Sequence, residues 1–292
     1  FIRYQNDPNN NTSLPIDQVS VLLEDKFGDL LIGTFGAGLL KYDRKKNSFT
    51  KINYNPDEPD DITATGIYCL AEDLNGTLWI GTYSNGLFIY DRVSGKSKWY
   101  YNIPGNAESI SDNIISSILM SKDGSIWIGT SNGINKFDPT SEKFKRFTES
   151  DGLPNNTIYG ILEDESGNLW ISTNKGLSKF NPEKNIFRNY NKDDGLQSDE
   201  FNQWACFNGK SGNLYFGGIN GFNVFNPSKI KESDFKPPIV LTNILLFNKP
   251  VSVGFDSHLN RTVLNSSLNK IEELELSHED YVFTLEFAAL DL

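Results

Sequence analysis

The 292 residues are 38% hydrophobic and 13% aromatic, enough apolar material for one large or two ordinary cores, which excludes a disordered chain. A formal net charge of -11 opposes polyphosphate and anionic lipid, both of which need clustered Lys and Arg, so no nucleic acid is expected to bind this segment. The most apolar stretch, 239–247, is too short to cross a bilayer and no charged-then-apolar leader opens the chain, so the segment reads as a soluble piece of a longer protein.

In chain order, Phe1-Ile2-Arg3-Tyr4 reads as a lone outer strand, and five similar units follow it. Aligned on the tract after a turn, these carry LLIGT (30–34), LWIGT (78–82), IWIGT (126–130), LWIST (169–173) and LYFGG (214–218), spaced by 48, 48, 43 and 45 residues. A glycine precedes each tract in the same phase (Gly28, Gly76, Gly124, Gly167, Gly212) with Asp or Asn beside most of them, as a tight hairpin requires. A second glycine follows each tract (Gly38, Gly86, Gly133, Gly176, Gly221), so each unit has two hairpin turns and three strands. Aromatic-led runs such as 99–102 and 187–190 supply a fourth.

Four short antiparallel strands per unit with no helical period give an all-β fold, a β-propeller of four-stranded blades with five repeats visible. The units lie near 17–54, 65–102, 113–148, 156–190 and 201–227, with 1–4 a blade outer strand, inside a propeller region of 1–230. The first strand carries small residues at matched positions (Val21, Cys69, Ser117, Gly160, Ala205), fitted to a crowded hub, and apolar ones next to them (Leu22, Leu70, Ile118, Ile161, Cys206), expected to be covered on both faces. Trp79, Trp127 and Trp170, with Leu31 and Tyr215 in the same place, read as blade-to-blade packing. The fifth unit lacks a fourth strand. Residues 1–4 either complete it, closing a five-bladed ring, or belong to a blade cut from a larger ring.

Cys69 and Cys206 read as buried free thiols on different blades. His258 and His278 both lie beyond the repeats, which removes zinc sites and histidine-based triads from the repeat region, so no catalytic residue, metal or cofactor is expected there.

EDLNGTLWIGTYSNGLFIYD (72–91) and EDESGNLWISTNKGLSKFN (163–181), with connectors SLPIDQV, SISDNII and GLPNNTI, resemble the two-component regulator propeller repeat. Leu31 for Trp, Ser172 for Gly and Gly209 for Asp or Ser depart from its pattern. Downstream, PPIVLTNILLFNKPV (237–251) and LELSHEDYVFTLEFAALDL (274–292) resemble the start of the immunoglobulin-like β-sandwich called the triple-tyrosine domain, which makes 231–292 a truncated second domain. The resemblance implies the periplasmic sensor region of an inner-membrane hybrid histidine kinase. Such a region recognises oligosaccharides, signals as a homodimer, and reaches the membrane only through a helix outside this segment. Two seven-bladed rings are usual in that family, which favours a partial ring here. Pro237 to Val251 is expected to pack on the propeller or on a partner chain.

Propeller geometry places ligands on one channel face, at the connectors into each first strand and the loops between second and third strands. The candidate contacts are Asp17, Gln18, Thr65, Asn113, Asn156, Phe201 and Asn202 on the connectors, and Phe35, Tyr83, Asn132, Asn174 and Asn220 on the loops. Amides suit sugar hydroxyls, while Phe35, Tyr83 and the off-pattern Trp204 suit a pyranose face. One alternative is a carbohydrate-active or lyase-type propeller enzyme, since residues 121–127, SKDGSIW, partly resemble the sialidase turn. Its spacing is off by one residue, and Glu24, Glu72 and Glu163 repeat as scaffold would. Another is a protein-interaction scaffold.

Overall fold

The computed structural model describes residues 1–52, 62, 66–230, 239–271 and 273–289. Two compact units divide the chain, Phe1–Ile230 and Lys231–Leu292.

In the first unit, blade 1 holds β1 (Val19–Glu24), β2 (Leu30–Thr34), β3 (Leu39–Asp43) and β4 (Ser48–Lys51). Blade 2 holds β5 (Ile67–Glu72), β6 (Thr77–Thr82), β7 (Leu87–Asp91) and β8 (Lys96–Tyr100). Blade 3 holds β9 (Ile115–Met120), β10 (Ile126–Thr130), β11 (Gly133–Asp138) and β12 (Lys143–Phe147). Blade 4 holds β13 (Ile158–Glu163), β14 (Leu169–Thr173), β15 (Gly176–Asn181) and β16 (Ile186–Tyr190). Blade 5 has three strands, β17 (Phe201–Asn208), β18 (Leu214–Gly218) and β19 (Gly221–Phe225). Every blade is an antiparallel meander, and the first strands of successive blades pack beside one another.

The repeated residues build the joints between blades. Trp79 meets Phe137 of blade 3 at 5.2 Å between ring centroids, Trp127 meets Phe180 of blade 4 at 5.7 Å, and Trp170 meets Phe225 of blade 5 at 4.7 Å. The tract glycines let the next blade approach. A Cβ on Gly33, Gly81 or Gly129 would lie 2.8, 2.7 or 2.6 Å from the Cγ2 of Ile67, Ile115 or Ile158. Ser172 fills this place in blade 4 because its cross-strand partner Gly160 has given up the side chain instead. Gly209 is explained by Tyr215, whose ring would stand 2.9 Å from an added Cβ.

The turns between first and second strands are tied in the same repeating way. Asp25 Oδ1 accepts from the NH groups of Phe27 and Asp29 at 2.9 Å each, and Asp73 and Asp164 do likewise in their blades. Glu72 accepts from the Lys26 NH of blade 1 at 2.7 Å, and Glu163 from the Lys122 NH of blade 3 at 2.9 Å. These glutamates therefore staple neighbouring blades. Arg92 adds a clamp to Glu72 and, at 2.5 Å, to Asp25. Burial pushes the Asp25 carboxyl up, but hydrogen bonds from Arg92, Asp29 and Phe27 outweigh it and hold the group below its ordinary value.

Two expectations are corrected at the end blades. Leu22 is 60% exposed rather than covered, and in blade 5 Phe207 and Phe222 are likewise exposed, so these blade faces are open. Residues 1–4 form no strand and do not complete blade 5; Tyr4 instead packs edge-on against Tyr42 and Phe49 of blade 1. The residue of blade 5 that matches Leu22, Cys206, is half-buried rather than buried as expected, unlike the buried Cys69, and desolvation pushes its thiol up to about 11.

The second unit has a three-stranded antiparallel sheet in the order β21 (Lys249–Pro250), β20 (Ile239–Leu246), β24 (Phe283–Ala289), and a hairpin of β22 (Gly254–Asp256) and β23 (Arg261–Leu264). Ile244, Leu246, Val251 and Leu264 form its small core, and Arg261 pairs with Asp280. Among the described residues no helix is long and apolar enough to cross a membrane.

Candidate ligand-binding face

The first and second strands of blades 1 to 4 pair with one residue skipped on the first strand: Ser20, Tyr68, Ser116 and Tyr159. A bulge of this kind re-aims a side chain out of the regular alternation. Blade 5 enlarges the irregularity. Between Phe201 and Cys206 the pairing lapses, and Trp204 inside that stretch has φ of +61°, a left-handed conformation that a bulky residue seldom adopts.

Trp204 reaches blade 2. Its ring meets Tyr68 edge-on at 5.0 Å, and Tyr68 in turn stands 5.2 Å from Phe35 and 5.0 Å from Tyr83, with Phe35 and Tyr83 5.5 Å apart. Four rings from blades 1, 2 and 5 thus form one cluster. The backbone of Gly66 holds its rim, pairing with Phe35 and accepting from the Tyr83 NH at 2.9 Å. Tyr68 is buried at 8% exposure, while Trp204 and Tyr83 remain 44% and 47% exposed, so the cluster has a closed floor and an open upper surface. Burial, then the neighbouring Tyr83, pushes the Tyr68 hydroxyl above its ordinary value.

The bulge position in blade 3 supplies a different chemistry. Ser116 is 4% exposed and its Oγ is buried with no hydrogen-bond partner among the described residues. Ser20 is committed, donating to the Ile67 carbonyl at 2.6 Å. Tyr159 is half-buried, and burial, with the charge of Glu200 beside it, raises its hydroxyl.

Phe35, Tyr83 and Trp204 are thus brought together, with Tyr68 as a member that chemical type alone did not single out. The amide and carboxylate candidates divide differently. Asp17, Asn113 and Asn156 each accept, through Oδ1, the NH of a residue earlier in the connector (Asn6 at 2.5 Å, Asn102 at 2.7 Å, Glu149 at 2.8 Å), and Asp199 does the same for Lys192 at 2.7 Å. This position is a latch that folds the connector back on itself. Gln18 gives its carbonyl to the Phe35 NH, Asn132 bonds through its NH to Thr130 Oγ1, and Asn220 through its NH to Gln197 Oε1. Phe201 is core, packed with Leu214 and Phe216. Asn174 and Asn202 are exposed on the loop and on β17, and Thr65 lies outside the described residues.

Tyr68, Ser116 and Tyr159 are the residues missed. Their signal was the position just before the small residue of each first strand, which reads Ser, Tyr, Ser, Tyr, Trp from blade 1 to blade 5 while its neighbours repeat.

The two component regulator propeller family model matches residues 61–84, 109–132 and 152–175, so the chain carries repeats of that type. Each match runs from a connector to the loop after the second strand. A stretch of 91 residues, 31% of the chain, is 27% identical to histidine kinase P4 of Formosa agariphila, of which it spans 6%. Among solved structures, the extracellular domain of a hybrid two component system of B. thetaiotaomicron aligns over 95% of this chain and 42% of its own, at 24% identity and a TM-score of 0.52. A second such domain from that organism aligns over 98% and 43%, at 19% identity and a TM-score of 0.56. Virginiamycin B lyase of Staphylococcus aureus aligns over 77% and 71%, at 16% identity and a TM-score of 0.56. These likenesses show a β-propeller fold, and the chain spans less than half of each two-component domain.

Proposed function

We propose that this chain is part of the extracytoplasmic, ligand-sensing region of a two-component signalling protein, and that it binds glycan-derived oligosaccharide on the connector face of the propeller. The observation that carries this reading is the cluster of Trp204, Tyr83, Phe35 and Tyr68, with its open upper surface. Flat rings of this kind bury the apolar face of a pyranose, while neighbouring amides and hydroxyls take its equatorial groups. The propeller repeats and the partial likeness to a histidine kinase support the signalling context. In this reading the second unit begins the immunoglobulin-like domain that passes the signal to a kinase working as a homodimer in the inner membrane.

Titration calorimetry of the chain against oligosaccharide fractions, with product analysis of the same samples, tests the proposal. Binding without turnover is the expected result. Cleavage of the sugar would make this an enzyme, and no binding by any fraction would leave a protein-interaction scaffold.

A further inference from the structure

Resting on the glycan reading, we infer that the connector face selects uncharged oligosaccharide and rejects acidic or sulfated chains. Two independent features of the face lead there.

The first is the kind of contact on offer. Four aromatic rings make the platform, with Trp204 and Tyr83 its exposed members, and the bulge position that supplies Tyr68 in blade 2 holds the neutral Ser116, with its hydroxyl buried, in blade 3. Rings recognise C–H faces and neutral hydroxyls recognise sugar hydroxyls; neither brings the opposite charge that would offset the hydration a carboxylate or sulfate loses on binding.

The second is how charge is distributed along the blades. Between residue 5 and the end of blade 5, the described connectors and the loops between second and third strands carry only Lys175 and Lys192 as cations of their own; the Arg146 guanidinium reaches into the third connector from β12, but it is spent there on the Asn106, Ser109 and Ile110 carbonyls. Acids recur beside the first strands, with Asp17, Asp112, Asp199 and Glu200. At the opposite end of the blades, where first joins second and third joins fourth, cations are plentiful: Lys26, Arg44, Lys45, Lys122 and Lys210 among them. The overall charge of -11 is therefore unevenly spread, and the face that carries the rings is short of cations. A uronate or sulfate on this face would meet a field set by its carboxylates, screened over about 8 Å at physiological salt, with Lys175 as the one cation among the loops. Specificity of this kind works by repelling the wrong ligand as much as by holding the right one.

The test is calorimetry on the whole chain with two ligand panels. One panel holds neutral cello-, xylo-, laminari- and arabino-oligosaccharides, and the other oligogalacturonides and sulfated galactan fragments. A neutral ligand should bind with a Kd that salt leaves unchanged, and Trp204→Ala should weaken it about tenfold. Glu200→Lys should improve binding of oligogalacturonide at low salt while leaving the neutral ligand alone. Tighter binding of the acidic panel, weakening with salt, would overturn the inference and leave the glycan reading standing. A neutral ligand indifferent to both Trp204→Ala and Tyr83→Ala would also overturn it, because the rings would then not be the platform. Trp204→Phe, which keeps a ring at the left-handed position, guards against a folding defect; it should retain most of the affinity lost in Trp204→Ala. If neither panel binds, the glycan reading itself fails.

Discussion

The two ends of the blades are built from the same four-stranded units yet follow opposite rules. At the turn end, Asp25, Asp73 and Asp164 cap their own hairpins in blades 1, 2 and 4, and Glu72 and Glu163 reach from blades 2 and 4 to the preceding blade, so where the residue recurs its task recurs. At the connector end the bulge position changes from Ser to Tyr to Trp, and the rings of blades 1, 2 and 5 converge. Repetition thus marks what a blade needs from its neighbour. Divergence marks positions that this joint leaves free.

The sharpest way to break this distinction is to remove one residue of each kind. Trp127 is 2% exposed and packs on Phe180 of the next blade, so Trp127→Ala should cost about 3–5 kcal/mol in urea unfolding, enough to unfold a marginal blade joint. Trp204→Ala, at 44% exposure, should leave the unfolding midpoint close to that of the unaltered chain. Equal losses would mean that Trp204 is one more packing tryptophan.

A smaller effect is expected where the repeat has been rearranged. Blade 4 places glycine on the first strand and serine on the second, reversing the Ser117–Gly129 pairing of blade 3. An added Cβ at Gly160 would stand 2.5 Å from Cys206 Sγ, so Gly160→Ala should destabilise by about 1–3 kcal/mol, and Cys206→Ala in the same chain should recover part of it. Additive losses would show that blades 4 and 5 do not meet at this point.

Much of the scaffold was legible because a propeller writes its period into the chain. The turn glycines and packing tryptophans recur in one phase, since each joint poses the same steric problem, and that phase located the strands of all five units. Burial at the ends was not legible. Leu22 sits in the same phase as Ile161, yet no described blade covers its face and it is exposed. The candidate site was half legible. Phe35, Tyr83 and Trp204 stood out by type and position, but strict alternation of strand faces hides Tyr68, because a bulge adds one residue and turns it out of its expected row. Nor does the sequence separate an amide that holds a sugar from one that holds its own backbone.

Asn113 is where that last ambiguity is tested, with the smallest effect. Its Oδ1 accepts from the Asn102 NH at 2.7 Å, and its carbonyl accepts from the Gly86 NH at 2.9 Å, so the side chain is occupied with folding the connector while the backbone fixes the neighbouring loop. Asn113→Ala should therefore cost about 1 kcal/mol of stability, the worth of one hydrogen bond to a half-buried donor. Oligosaccharide affinity should not change. Asn113→Asp keeps the accepting oxygen and should restore stability. Trp204→Ala is expected to show the reverse pattern, with affinity lost and stability kept. Were Asn113→Ala to lower affinity at unchanged stability, the latch would be a contact and the connector amides would belong with the rings.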